Sequence, residues 1–265
     1  MRQVRIAALA LFLLVVIACE TVPISGRSHL ILLPEGTEMQ MGIDSYREVL
    51  KKSQVSGDAA ARAQVERVGR RIADATGRRD YQWEFNLIED KQVNAFCLPG
   101  GKVAVYTGIL PITSDEGGLA TVIGHEVSHA VARHGAERLS EGLLVQFGGQ
   151  LLGEAMKDRS NGARDLALQA YGIGSAVGVG LPHSRQQESE ADHLGLIYMA
   201  RAGYAPRQAV EFWKRFASYN SRQGSRPIAF LSTHPVDDVR IRQLDAELPQ
   251  ALAEYEKAGR RISGQ

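Results

Sequence analysis

Gly124-His125-Glu126-Val127-Ser128-His129 is the stretch on which the reading of this chain turns. It lies inside an apolar run from Leu119 to Val131. On an α-helix, residues four apart share a face and stand one turn apart, so His125 and His129 can aim both imidazoles at one metal ion. Glu126 sits to the side of that pair, within reach of a water held by the metal. His-Glu-x-x-His on a helix is the pattern of two zinc-binding histidines with a glutamate general base. The same pattern also arises by chance on amphipathic helices, so the chemistry requires a third ligand from elsewhere in the chain.

Glu188-Ser189-Glu190-Ala191-Asp192 supplies candidates on a second helical pattern. Glu188 and Asp192, four apart, share a face. Glu188 suits a zinc ligand, and Asp192 suits the acceptor that a ligating histidine needs for its other ring N–H. Glu190 is a chemical rival for the third position. Catalytic zinc keeps three protein ligands and one open position, so one Zn2+ per chain is the expected cofactor.

With these residues in view the chain resembles the gluzincin-type zinc metallopeptidases, the family of the CAAX prenyl endopeptidase, HtpX, the mitochondrial stress peptidase and BepA. Three further stretches carry the resemblance. They are Asn94-Ala95-Phe96 with Pro99-Gly100-Gly101 and Tyr106-Thr107-Gly108, Ser184-Arg185 before Glu188, and Ser232-Thr233-His234-Pro235. The resemblance covers roughly Leu30 to Leu244. It implies a zincin-like α+β domain, mostly helical, with a small antiparallel or mixed sheet beside the metal helix. It implies His125, His129 and Glu188 as zinc ligands and Glu126 as the catalytic residue. It also places His234 near the metal, either donating to the oxyanion or filling the open zinc position at rest.

The chain before this region begins with Arg2 and Arg5 and then the apolar stretch Ile6–Ala18, which reads as a secretory signal rather than a spanning helix. Val16-Ile17-Ala18-Cys19 resembles a bacterial lipobox, so residues 1–18 are expected as a lipoprotein signal and Cys19 as a lipidated N-terminus. Glu20 rather than Asp favours the outer membrane by the same resemblance. The expected order is then a tether and apolar arm over 19–36 and one metallopeptidase domain over 37–265. Cys97 is left as a lone, inert thiol between Phe96 and Leu98. A net charge of +1 gives no global field for nucleic acid, and 44% hydrophobic residues allow a sizeable core.

Periodicity predicts helices over 38–52 and 59–76 and strands over 81–88 and 102–107, with 93–96 leading into the Pro99-Gly100-Gly101 turn. Asn94, Gly101 and Val103 are expected to mark a strand edge on which an extended substrate lies. The metal helix is predicted to start after Ser114 or Asp115 and to run to His134, a surface residue at its end. The glycine-rich 139–180 reads as two helical pieces broken near Asp158–Gly162, with His183 an outlying metal candidate. A helix opens at Pro206, and 236–255 closes the fold with Arg240 near its start. The expected activity is an endopeptidase acting on envelope polypeptides, with outer-membrane assembly machinery as a possible partner. A chaperone-like assembly factor with little turnover is the alternative.

Overall fold

The computed structural model describes residues 19–175, 181–224 and 228–263; for 172–175, 181–184 and 260–263 it describes the backbone alone. The expected signal over 1–18 lies outside the described residues. The chain divides into two compact units, one of 19–35 with Arg133–Gln187 and the other of 36–132 with 188–263. This division cuts across the expected single domain over 37–265. The expected class holds: the chain is mostly helical, with two small sheets.

The larger unit is built on a three-stranded sheet of β3 (Glu84–Ile88), β4 (Ala95–Leu98) and β5 (Lys102–Tyr106), in the order β3-β5-β4. β5 runs parallel to β3, with Phe85 opposite Val103, and antiparallel to β4, with Cys97 opposite Val103. The central position of β5 follows from its composition, since Val103, Ala104 and Val105 have no exposed surface. Gly101 closes the β4–β5 turn at φ +82°, where a Cβ would strike the Trp83 ring at 2.8 Å.

Helix α1 (Glu35–Lys52) sends the Tyr46 hydroxyl to the Val103 carbonyl at 2.6 Å. Helix α2 (Ala59–Thr76) is capped by Asp58, whose carboxylate accepts from Ala60 and Ala61 N–H, and it buries Val65, Val68 and Ile72 at the predicted spacing. After the short helix α3 (Leu110–Thr113) comes α4 (Glu116–Val131), capped by Asp115 and buried on nearly every side. It packs against α2, β4 and α8 (Arg207–Gln223). Trp213 and Phe216 of α8 stack with Phe230 of α9 (Ala229–Thr233), Phe212 meets Trp213 and Phe216 edge-on, and α10 (Asp238–Ser263) closes the unit.

In the smaller unit, β1 (Cys19–Thr21) pairs antiparallel with β2 (Ser28–Leu30), so a hairpin stands where a tether was expected. Helix α4 stops three residues before the expected end, because Arg133 takes the left-handed φ of +55°. That turn points Arg133 at Glu20, at 2.5 Å, and at the Leu33 carbonyl, at 2.8 Å. His134 then opens α5 (His134–Ala155) fully buried, which corrects the expected surface position. Helix α6 (Asn161–Ser175) returns along α5, and the break falls where the sequence predicts it. Helix α7 (Leu181–Arg201) carries the chain from this unit into the larger one.

Glu137 of α5 joins the hairpin to its helices. Arg27 donates to both its oxygens, at 2.5 and 2.8 Å, and Gln187 donates at 2.7 Å. Burial by itself raises the Glu137 carboxyl, but the bonds from Arg27, His29 and Gln187 outweigh it and hold it well below the usual carboxylate range. A depressed carboxyl contributes its stability above the unfolded pKa and loses it as pH falls. Glu137→Ala is expected to cost about 2–3 kcal/mol by removing the carboxylate that accepts from both Arg27 and Gln187, and to speed amide exchange in β1 and β2 at least ~10-fold at neutral pH. In the unsubstituted protein that protection, corrected for intrinsic exchange, falls only below about pH 4.

Candidate active site

Two helices carry the site, and they meet through glycine. A Cβ on Gly195 of α7 would stand 3.1 Å from the His125 amide nitrogen, and one on Gly124 of α4 would stand 3.2 Å from the Gly195 carbonyl. With neither side chain present, the backbones close to van der Waals contact. Three residues N-terminal to that crossing, α7 carries Asp192, and one turn further Glu188.

The sequence-predicted ligands converge. His125 Nε2 and His129 Nε2 are 3.1 Å apart. Glu188 Oε2 lies 3.3 Å from His125 Nε2, and Glu188 Oε1 lies 3.2 Å from His129 Nε2. His234, just past α9, brings Nδ1 to 3.1 Å from His125 Nε2 and 2.9 Å from Glu188 Oε2. One ligand atom from each of these four residues falls within 4.8 Å of all the others. Tetrahedral zinc with bonds of about 2.0–2.1 Å sets neighbouring ligand atoms about 3.3–3.4 Å apart, so the donor set fits that ion in both chemistry and spacing.

Behind the ligands stands a layer that fixes them. Asp192 Oδ1 accepts from His125 Nδ1 at 2.9 Å, which presents Nε2 to the cluster. Arg240 of α10 holds Asp192 in turn, with Nε to Oδ2 at 2.6 Å and Nη2 to Oδ1 at 2.8 Å. Its Nη1 donates to the Pro235 carbonyl at 2.9 Å, and its guanidinium lies 3.6 Å from the Trp213 ring centroid. The sequence reading noted Arg240 only for its place near a helix start. A signal was present: a buried Asp192 requires a cation, and Arg240 is the first basic residue after the His234-Pro235 turn.

Glu126, next to His125, is 4% exposed, and its Oε1 has no hydrogen-bond partner among the described residues. That oxygen stands 3.3 Å from His234 Nε2. Burial pushes the Glu126 carboxyl up from its ordinary value, against the lowering effect of His234 and His125. A buried, unsatisfied carboxylate oxygen beside a ligand cluster is placed to take a proton from a small polar reactant.

The expected substrate edge is corrected in part. Val103 lies on the central strand, paired on both sides and fully buried, so no further strand can add to it. Gly101 lies in the turn, not on an edge. Asn94 directly precedes β4, and its carbonyl is taken by the Tyr106 N–H at 3.1 Å. The outer strand on this side is β4 itself, over Ala95–Leu98, packed beside α4. The Phe230 N–H donates to the Val93 carbonyl at 3.2 Å, which ties the approach to β4 to the turn that carries His234.

Glu190, the rival ligand, is buried on α7 and is not among the four clustered residues. His134 also stands outside the cluster. The side chains of His183 and Ser184 lie outside the described residues. Cys19 is exposed at the first position of β1. Cys97 of β4 is partly exposed; its surroundings and the nearby Glu126 charge push its thiol up, against any role as a nucleophile.

Comparison with known proteins places this geometry. Residues 59–248 match the model of peptidase family M48. The mitochondrial metalloendopeptidase OMA1 of Schizosaccharomyces pombe is 36% identical over 240 residues, 89% of this chain and 68% of that protein. OMA1 of Saccharomyces cerevisiae is 30% identical over 253 residues, 89% of this chain and 71% of that one. The beta-barrel assembly-enhancing protease of Escherichia coli is 27% identical over 227 residues, 84% of this chain and 46% of that protein. These matches overturn the expected placement as a lipid-anchored protein of the bacterial outer membrane, because the relatives matched over 89% of the chain are mitochondrial proteins. A charged start followed by a short apolar stretch is a weak guide to compartment, since several targeting routes use it. The matched region contains the metal helix, Glu188 and the His234 turn together, and the chain belongs to peptidase family M48, the zinc-dependent metalloendopeptidases.

Proposed function

We propose that the chain cleaves polypeptides held in extended form along β4, with His125, His129 and Glu188 as the zinc ligands and Glu126 as the general base. The observation that carries this reading is the meeting of ligand atoms from three residues at 3.1–3.3 Å beside a buried carboxylate oxygen with no hydrogen-bond partner among the described residues. A bound zinc supplies Lewis acidity there, lowering the pKa of water and polarising a carbonyl.

The residues of the chain divide the remaining work. Glu126 Oε1 takes the proton of the attacking water and passes it to the leaving amine. The outer edge of β4 offers backbone N–H and C=O groups that hold a substrate strand flat beside α4. Asp192, clamped by Arg240, keeps His125 in the tautomer that points Nε2 at the cluster. His234 turns Nδ1 towards the ligand atoms and Nε2 towards Glu126. This arrangement suits a resting site in which His234 fills the fourth corner. A small displacement of the Pro235 turn frees that corner and leaves His234 beside Glu126, where Nε2 donates to a developing oxyanion. Substrates are polypeptides, and the name of the Escherichia coli relative supports misassembled proteins as the class of client.

Glu126→Gln is expected to retain one zinc per chain and to lower hydrolysis of unfolded casein at least ~1000-fold. Cleavage surviving in the purified variant would remove Glu126 from the role. The metal-free site sets a pH dependence. Burial by itself lowers the His125 pKa, but Asp192 and Glu188 outweigh it and raise it to about 9. Zinc must displace that proton, so its apparent affinity, measured by chelator competition, is expected to fall roughly tenfold per unit as pH drops below about 9. Arg240→Met leaves Asp192 buried without its cation. It is expected to cost about 3–5 kcal/mol in thermal or denaturant unfolding, and to weaken zinc binding by roughly 10–100-fold.

A further inference from the structure

The smaller unit carries an apolar surface that the peptidase site does not use. On α5, Leu139, Leu143, Phe147 and Leu151 recur every four residues with Leu144 beside them, each 45–59% exposed. Leu166 of α6 is 68% exposed. Single exposed leucines are ordinary, but a file along four helical turns is not. No charged residue occurs from Gly142 to Gly153. Another side of α5 is taken by α6, whose Tyr171 stands over Gly148 and donates to the Val145 carbonyl at 3.1 Å. The start of the apolar face is also covered. Ala136 and Ser140 are buried, and the Ser140 hydroxyl accepts the Leu32 N–H at 2.8 Å. The β1–β2 hairpin and the strand that leaves it stop there, with Leu32 itself 43% exposed, and the file continues uncovered.

We propose that this face of α5 lies in the interfacial layer of a lipid bilayer, its leucines and Phe147 at acyl-chain level and the charged residues at its two ends among the headgroups. What points to lipid is the way the chain enters this unit. The apolar stretch Ile6–Ala18, preceded by Arg2 and Arg5, runs directly into Cys19, the first residue of the hairpin that abuts the file. In sequence, an apolar segment therefore directly precedes the hairpin that abuts the file, whose residues are exposed among the described ones. The uncharged length of about 18 Å is too short to cross a hydrocarbon core of about 30 Å, which suits a helix lying in the interface. No described helix is long and apolar enough to cross a membrane. At the far end of the file Glu154, Lys157, Asp158 and Arg159 nearly cancel in charge, so the attraction comes from apolar insertion and not from an anionic surface.

The test uses the full chain carrying Phe147→Trp, with the unsubstituted chain, which holds Trp83 and Trp213, as the baseline. The probe is vesicles of zwitterionic phosphatidylcholine, with or without brominated acyl chains. Brominated lipid is expected to remove at least about half of the added indole emission, and vesicles to lower its acrylamide quenching at least ~3-fold, equally at 0.1 and about 0.5 M salt. Adding Leu143→Asp and Leu151→Asp is expected to reduce the bromolipid effect at least ~5-fold while far-ultraviolet circular dichroism stays unchanged. An added indole that remains equally open to acrylamide with vesicles present would overturn the proposal. So would shielding that grows with protein concentration in the absence of lipid, which would assign the face to a second copy of the chain.

Discussion

Three carboxylates crowd the centre of the larger unit around one guanidinium. Glu126 and Asp192 are buried and Glu188 is largely so, while Arg240 is the arginine in contact with both Asp192 and Glu188. Without a metal, a proton on His125, whose pKa is raised to about 9, offsets part of that charge; a bound divalent cation would replace it and balance the cluster with the imidazoles neutral. Charges taken out of water without partners cost far more than a small domain's whole stability, and a chain that buries this set must supply a counter-ion. The requirement explains why the ligand atoms stand at zinc spacing and why Arg240 is braced on every side, by Asp192, the Pro235 carbonyl and the Trp213 ring.

The rest of the larger unit answers to that centre. Helices α4 and α7 bring histidines and carboxylates together because Gly124 and Gly195 let their backbones touch. The aromatic layer of Trp213, Phe216 and Phe230 supports both Arg240 and the turn bearing His234. The sheet contributes by position: β5 is locked between its neighbours, which leaves β4 as the strand that flanks the metal helix with a free edge. The bond from Phe230 to the Val93 carbonyl links the His234 turn to the segment entering β4.

Much of this was legible in the residues. The spacing of His125 and His129, and of Glu188 and Asp192, set which atoms share a face, and helices keep that promise whatever surrounds them. Capping by Asp115, the periodicity of α2 and the break between α5 and α6 are also local events. The errors fell where pairing over distance decides. Val103 reads as an alternating strand residue, but only its two neighbours make β5 central. His134 reads as a helix end facing water, but the left-handed turn at Arg133 buries it at the start of a new helix. The stretch after Cys19 reads as a tether, yet Glu20 and Arg27 find Arg133 and Glu137 more than a hundred residues away.

By itself the sequence determined the family and the candidate set: two histidines and a glutamate able to hold a metal, with a second glutamate beside them. Those roles follow from side-chain type and helical spacing, which are local quantities. Only the tertiary structure decided that β5 is the central strand, that Arg240 clamps Asp192, that His234 joins the cluster of candidate ligand atoms, and that the apolar file of α5 is exposed among the described residues. Each of these depends on which distant segments share the same volume, and a linear pattern of residues does not carry that information.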